Sequence, residues 1–304
     1  MNENTSTAKR SHDPFFRWLF SDTTHARNLL ELSGKVSQEL SEFLSVVNLD
    51  TLMRIPDSYS EVDETGEADI AFRVNVTTGA PVLVGILLEH KSGHDSEVLN
   101  QIKRYVNSVM KDSNDRRGFD TLPTMAIIFY NGRENWNPLK WLEAGYPEYF
   151  HGSMLPFKYS FVNMGDIPDS DCLACDDTEA AMGIVAMKYA FNKDNLLAIL
   201  PKFKGALQKM DSKNASCLLQ KISLYLKEYV DQGILKELNM AFKSIGQKYG
   251  FISAGDVFRQ QIADTEQKAL EEKLNTARGL LQDGVSMEIL TRRFNLTEEA
   301  ILGK

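Results

Sequence analysis

Residues 81–91 read Pro-Val-Leu-Val-Gly-Ile-Leu-Leu-Glu-His-Lys, an apolar run that ends in three ionisable residues. A nearly continuous apolar run of this length is typical of a strand that is buried on both faces of a sheet. Side chains alternate along a strand, so Glu89 and Lys91 are predicted to share one face while His90 lies on the other. The segment therefore predicts a core strand that brings a carboxylate and an amine to the same edge of a sheet.

The preceding segment, residues 68–76, supplies a second acid. Apolar residues recur at every second position and are predicted to face the core: Ala68, Ile70, Phe72, Val74 and Val76. Asp69 then lies on the opposite face, and residues 77–81 are predicted to form a turn. In an antiparallel hairpin the start of one strand lies beside the end of the next. We therefore expect Asp69 to lie close to Glu89.

Two neighbouring carboxylates suit Mg²⁺, which prefers oxygen ligands and retains water molecules, and Mn²⁺ is expected to substitute. Asp69 and Glu89 are the predicted metal ligands. Lys91 would orient or help deprotonate an attacking water and stabilise charge on a phosphate. A surface ion pair between Lys91 and either acid is the alternative, because Glu-x-Lys is common by itself. Glu67 shares a face with Asp69, and either assists the metal or is a solvated acid.

Together with two further segments, these residues resemble the PD-(D/E)XK nuclease superfamily. They are most similar to its recombination-promoting nuclease family, also called YhgA-like or putative-transposase proteins. Residues 11–22, Ser-His-Asp-Pro-Phe-Phe-Arg-Trp-Leu-Phe-Ser-Asp, resemble the N-terminal signature of that family, and residues 127–132, Ile-Ile-Phe-Tyr-Asn-Gly, match it further along. The resemblance implies a metal-dependent DNA endonuclease that is linked to recombination and leaves 5′-phosphate and 3′-hydroxyl ends.

The resemblance also implies a role for Gln101. In the superfamily, a glutamine and a tyrosine four residues apart follow the Glu-x-Lys strand on the next helix, and Gln101 and Tyr105 have that spacing. Gln101 would orient Lys91 or contact the phosphate backbone; alternatively, it is only the polar edge of an apolar stripe. The chain departs from the pattern at Ala68, where the superfamily motif has proline. Lys91 is the superfamily form, whereas glutamine is common in the closer family.

The order of predicted elements agrees with a restriction-endonuclease-like α/β core, α-β-β-β-α-β, in which helices flank a mixed sheet. The first helix is predicted from Val36, Leu40, Phe43, Leu44 and Val47, which recur at helical spacing. A short strand at residues 52–55 precedes the two strands that carry Asp69 and Glu89. A second helix follows within residues 98–109, and residues 125–130 form the last strand of the core.

Composition changes divide the chain into five predicted parts: a flexible N-terminus (1–10), the nuclease core (11–167), a polar linker (168–177), a helical accessory region (178–259) and a C-terminal helical tail (260–304). The linker is acidic and contains Pro168. Cys172 and Cys175 lie in it and are expected to be loop cysteines, because a zinc ribbon needs a second pair of ligands.

The tail is predicted to contain helices separated at Gly284, with Ser286 and Thr297 as N-caps. Its end resembles the start of a helix-turn-helix with Arg292 and Arg293 near the turn, but a DNA reader needs a longer recognition helix. We expect these helices to pair with each other or to mediate homo-oligomerisation.

The composition of 304 residues, 43% hydrophobic and 25% charged, is that of a soluble globular protein. We expect a bacterial cytoplasmic protein, because no segment has the length of a membrane span and three cysteines do not make a disulfide framework. The net charge of −8 disfavours indiscriminate binding to DNA. The predicted function is hydrolysis of DNA by an Mg²⁺-dependent endonuclease. The alternatives are a catalytically inactive DNA-binding or protein-interaction module on the same scaffold, and a nuclease that acts on RNA.

Overall fold

A five-stranded sheet is the framework of this mixed α/β protein, which we describe from a computed structural model. The structure describes residues 14–55, 69–89, 123–132, 136–151, 155, 157–246 and 269–303; for residues 69, 83–89, 141 and 142 it describes the backbone alone. The chain divides into two units, Met1–Phe251 and Ile252–Lys304. The sheet belongs to the first unit.

The strands lie side by side in their sequence order, from β1 to β5. The pairs β1–β2 and β2–β3 are antiparallel, whereas β3–β4 and β4–β5 are parallel. The strands are Val47–Arg54 (β1), Asp69–Val76 (β2), Pro81–Glu89 (β3), Thr124–Tyr130 (β4) and Lys158–Asn163 (β5).

The predicted hairpin is confirmed as β2 and β3. Its turn occupies residues 77–80, and the Val76 amide donates a 2.8 Å hydrogen bond to the Ala80 carbonyl. Gly79 has a φ of 96°, a conformation that side chains disfavour and that glycine adopts without strain. Of the predicted core residues, Ile70, Phe72 and Val74 are fully buried, so the alternation along β2 is confirmed.

The helices of the first unit follow from local capping and from apolar faces. Asp22, Ser37, Asn137, Asp177 and Asp211 each accept a backbone N–H at a helix start. The helices are residues 14–20 (α1), Thr23–Gly34 (α2), Gln38–Val46 (α3), Pro138–Ala144 (α4), Asp169–Ala174 (α5), Thr178–Lys188 (α6), Lys193–Ile199 (α7), Lys204–Leu207 (α8), Ser212–Leu226 (α9) and Gln232–Gly246 (α10).

The two faces of the sheet are covered differently. The face that contains Ile70, Phe72 and Phe129 packs into the large core with helices from both ends of the unit. On the opposite face, Ala126, Ile128 and Tyr130 pack with a smaller cluster that includes Trp136 and Leu139. All seven residues of β4 are buried, as a central strand covered on both faces requires.

Three predicted boundaries differ from the structure. Val47 is the first residue of β1 and not the last apolar residue of the helix before it. The strand expected at residues 52–55 is the end of a longer strand, Val47–Arg54. The strand at residues 125–130 is not the last one, because β5 pairs with it in parallel.

The predicted linker at 168–177 contains helix α5 and does not separate two cores. Cys172 lies in α5 and is fully buried, so its interpretation as a loop cysteine was wrong. Burial raises the pKa of the Cys172 thiol to about 12, which keeps it protonated at neutral pH. Helices α6 to α10 contribute to the same hydrophobic core as the strands.

Helix α6 is the clearest case of this shared core. Its residues from Ala180 to Met187 are all buried, so the helix has no solvent-facing side. A helix that is apolar all round belongs in the interior of a protein. Leu218 and Leu219 of α9 and Phe242 of α10 are completely buried in the same cluster.

The second unit contains three helices among its described residues: 269–282 (α11), Met287–Phe294 (α12) and Glu298–Leu302 (α13). Their small core consists of Ala277, Leu290 and Ile301. Thr297 caps α13 through the Ala300 amide, as predicted, whereas Ser286 occupies the N-cap position of α12 without a side-chain cap bond. Gly303 ends α13 after five residues, with a φ of 72°.

No helix in the described segments combines the length and the apolarity that crossing a membrane requires.

Candidate functional site

The register of β2 and β3 fixes where the two predicted metal ligands lie on the backbone. Asp69, the first residue of β2, pairs with Leu87 of β3. Glu89, the last residue of β3, lies two residues beyond Leu87. Residues that pair across a ladder share a face of the sheet, as do residues two apart in one strand. By register, Asp69 and Glu89 are therefore diagonal neighbours on one face, at one end of the sheet.

Lys91 and Gln101 lie outside the described residues, as do Glu67, His90 and Tyr105. Their predicted roles stay predictions. The same holds for Asp69 and Glu89 as metal ligands, because only their backbone is described. Among the side chains that the structure does describe, no group of three or more His, Cys, Asp and Glu residues is arranged to hold a metal ion.

The carboxyl end of β4 lies directly beside Glu89, because Glu89 pairs with Tyr130 in the parallel ladder. Tyr130 is buried and contacts Trp136 and Phe161, with ring centroids 5.1 and 5.8 Å away. Aromatic pairs at such distances contribute about 0.5–1.5 kcal/mol beyond their buried area. This end of the sheet is therefore fixed by aromatic packing on the face that also contains Asp69 and Glu89.

Asn131 fixes the same end of β4 to the helices on the other face. The Asn131 side chain is buried, and its amide donates to the Met187 carbonyl of α6 and to the Tyr225 hydroxyl of α9, both at 3.4 Å. Burial raises the pKa of Tyr225 well above its ordinary value, so it remains a neutral phenol. Tyr225 lies 94 residues further along the chain, so no local sequence pattern predicts this contact.

The next strand end, at β5, is also polar. Asn163 pairs with Tyr130, accepts a hydrogen bond from the Gly165 amide and donates one to Asp166. Polar residues thus follow one another along the carboxyl ends of three parallel strands, at Glu89, Asn131 and Asn163. In open α/β sheets this edge is where ligands characteristically bind.

One histidine cluster lies elsewhere in the unit and has a different character. His25 of α2 lies between two carboxylates, with Nδ1 2.7 Å from Asp177 and Nε2 3.3 Å from Glu179. Burial alone would lower the pKa of His25, but the hydrogen bonds with Asp177 and Glu179 raise it to about 10. A histidine that is protonated at neutral pH is a poor general base. The cluster fastens α2 to the start of α6.

Comparison with known proteins places these features in a family. No curated protein and no solved structure matches the chain. The family described as "Putative transposase, YhgA-like" matches residues 10–217, which is more than half of the chain. The matched region contains all five strands, the four predicted site residues and the segment around Asn131. The chain therefore belongs to the YhgA-like family of putative transposases.

Proposed function

We propose that this chain is an Mg²⁺-dependent DNA endonuclease with a PD-(D/E)XK core, in which Asp69 and Glu89 bind the ion. The description of its family as transposases associates the chain with the processing of DNA. The observation that carries the proposal is the hairpin register, which pairs Asp69 with the residue two positions before Glu89. This register agrees with the spatial proximity that the mechanism needs.

The backbone spacing suits a shared ion. Diagonal neighbours in an antiparallel pair lie about 7–8 Å apart, a separation that an aspartate and a glutamate can span from the same face. Their oxygens are the donors that Mg²⁺ prefers, and Mn²⁺ accepts the same ligands. The donor set of Asp69 and Glu89 therefore fits the ion that the family resemblance implies.

The remaining roles belong to residues that follow β3. Lys91 orients the attacking water or helps to deprotonate it, and it stabilises charge that develops on the phosphate. Gln101 positions Lys91 or holds the phosphodiester. The ion, when bound, polarises the scissile phosphate and stabilises the leaving oxygen. Water attacks phosphorus, the bond to the 3′-oxygen breaks, and the products carry a 5′-phosphate and a 3′-hydroxyl.

Cleavage of supercoiled plasmid tests the proposal. The protein is incubated with Mg²⁺, Mn²⁺ or EDTA beside Asp69→Ala, Glu89→Ala and the control Glu228→Ala. Glu228 is an exposed acid after α9 and outside the sheet, so its removal controls for the loss of one negative charge. We expect nicking or linearisation with either metal, none with EDTA, at least a hundredfold loss in the two site variants, and unchanged cutting by the control.

Other outcomes identify the rival functions. If folded wild-type protein binds labelled DNA but leaves every DNA form uncut with every metal, the chain is a binding module on a nuclease scaffold. If it cuts labelled RNA and not DNA, the assignment of DNA as the substrate is wrong, whereas the proposed metal site at Asp69 and Glu89 is unaffected. Equal cutting by wild type and both site variants would show that other residues, or a contaminant, cause the cleavage.

A further inference from the structure

A cavity of about 830 Å³ follows the outer edge of β5. Five of the six β5 residues contribute to its lining, namely Lys158, Tyr159, Ser160, Phe161 and Asn163. Successive residues of a strand point to opposite faces of the sheet. Residues of both faces can line one cavity only if that cavity runs along the open edge of the strand. Among the described strands, β5 is the last in the sheet on this side.

Helices form the two walls of this edge groove. On one side Ser37 is the N-cap of α3, and its hydroxyl is 2.8 Å from the Ser160 hydroxyl of β5. On the other side Glu143 of α4 accepts a 2.6 Å hydrogen bond from the Tyr159 hydroxyl. Both helices line the same cavity. The edge of β5 therefore lies at the bottom of a groove that is about six residues, or about 20 Å, long.

We propose that the edge groove binds an extended peptide segment with basic and apolar side chains, which adds to the sheet as a sixth strand beside β5. Main-chain hydrogen bonds to an open sheet edge give affinity in this type of recognition, and pockets for alternate side chains give specificity. Phe43 of α3 and Trp136 beside α4 supply apolar surface in the two walls.

The charged residues that line the groove favour a positively charged partner. Four carboxylates line it against two lysines: Glu39, Glu42, Glu143 and Asp166 against Lys140 and Lys158. Each carboxylate is oriented by a neutral donor, which is the Ser37 hydroxyl, the Gln38 amide, the Tyr159 hydroxyl and the Asn163 amide respectively. An acidic groove attracts lysine and arginine side chains and repels the phosphates of a nucleic acid.

The shape of the groove favours an isolated extended peptide segment over a second copy of the chain. In a second copy, the same edge lies at the bottom of the same groove, between α3 and α4. Bringing two such edges together would press helix against helix before the strands could pair. An isolated extended segment has no such flanks and can reach the bottom of the groove.

The test uses a fluorescein-labelled, end-blocked octapeptide of alternating arginine and valine, measured by fluorescence anisotropy with the full chain. The groove variant is Glu39→Gln with Glu42→Gln, both exposed residues of α3. The control is Glu228→Gln with Glu272→Gln, two exposed acids outside the groove that change the net charge equally. We expect saturable binding that weakens at least tenfold in the groove variant and not in the control.

Two further peptides separate strand addition from general charge attraction. A peptide with glutamate in place of arginine should not bind, and a peptide with alternate amides N-methylated should lose at least tenfold in affinity because it cannot pair with β5. Hydrogen exchange of residues 158–163 should slow when the parent peptide binds.

Four results would overturn the proposal. They are equal weakening in the control variant, unchanged binding of the N-methylated peptide, displacement of the peptide by single-stranded DNA, and absence of saturation at millimolar concentration. Sedimentation that shows self-association of wild type, lost in the groove variant, would assign the edge to a second copy of the chain instead.

Discussion

His25 contributes to stability in a way that depends on pH. Its pKa rises from 6.5 in the unfolded chain to about 10 in the folded protein, where Asp177 and Glu179 flank the ring. A raised pKa stabilises the folded state fully below pH 6.5, and this contribution is lost as the pH rises towards 10. Since one pKa unit corresponds to about 1.4 kcal/mol, the half-buried site contributes roughly 3 kcal/mol after some screening by solvent.

We predict that the free energy of unfolding of the wild-type protein, measured by urea denaturation, falls between pH 6.5 and pH 9.5. His25→Gln should be less stable at pH 6.5 and should lose most of that pH dependence, because glutamine keeps hydrogen-bonding capacity without the titrating charge. Parallel pH curves for wild type and variant would show that other groups cause the dependence. Asp177 is a poorer target, because it also caps α6.

Lys91 allows a separate test of the catalytic proposal. In the proposed mechanism its amine acts on water and phosphate and not on the metal, so Lys91→Ala should abolish plasmid cutting while leaving the fold intact. Binding of Mn²⁺, followed by calorimetry, should stay within about threefold of wild type, whereas Glu89→Ala should weaken it strongly. Unchanged cutting by Lys91→Ala would remove this residue from the mechanism.

At the scale of elements, the contact between α1 and α6 depends on the absence of a side chain at Gly183. A Cβ atom there would overlap Cδ2 of Leu19, which is itself fully buried. Overpacking of a closed core costs about 1–3 kcal/mol. The gain in helix propensity from glycine to alanine offsets up to about 1 kcal/mol of this. With the full offset, Gly183→Ala should therefore lower the free energy of unfolding by up to about 2 kcal/mol.

Gly205 is the matched control for this substitution. It also lies in a helix, but a Cβ added there meets no atom within 4 Å. Gly205→Ala should therefore leave stability unchanged or raise it by up to about 1 kcal/mol. Urea denaturation of both variants under one condition measures the difference. Equal effects at the two positions would mean that Leu19 moves aside without cost.

The elements differ in how far the sequence could predict them. The β2–β3 hairpin follows from local information, namely alternation, a glycine turn and an abrupt change of polarity at Glu89. Strand β5 does not, because it buries the polar Ser160, whose hydroxyl partner is Ser37, 123 residues earlier. A polar residue at a core position looks unfavourable until its partner is known. For the same reason the chain gives no local sign of the Asn131–Tyr225 contact.

At the scale of the whole molecule, the sequence suggested too many separate parts. The acidic segment with Pro168 has the composition of a linker, and the following helices resemble a small domain. The signal that contradicts this lies in residues 180–187, where no polar side chain interrupts the helix. A helix without a polar face requires cover on all sides, and a small separate domain could not provide it.

The shared core predicts how truncations behave. A protein that ends at residue 167, the predicted end of the nuclease core, loses α6, α9 and α10 and exposes apolar residues that these helices help to bury in the large core. More than ten large apolar members of the core lie beyond residue 167. Each fully buried apolar side chain contributes about 1.5–3 kcal/mol, so their loss together exceeds the entire stability of a typical domain, about 5–15 kcal/mol. We expect this truncation to lack near-ultraviolet circular dichroism and a cooperative urea transition.

A second truncation, ending at residue 251, separates the effect of lost packing from that of shortening the chain. Among the described residues, the large core has no member beyond Ile245, and the small core of the second unit begins at Ala277. Removing Ile252–Lys304 should therefore leave a cooperative transition with a midpoint temperature within about 5 °C of the full chain. Cooperative folding of the protein ending at residue 167 would support the predicted domain boundary at that residue. Unfolding of the one ending at residue 251 would mean that the second unit stabilises the first.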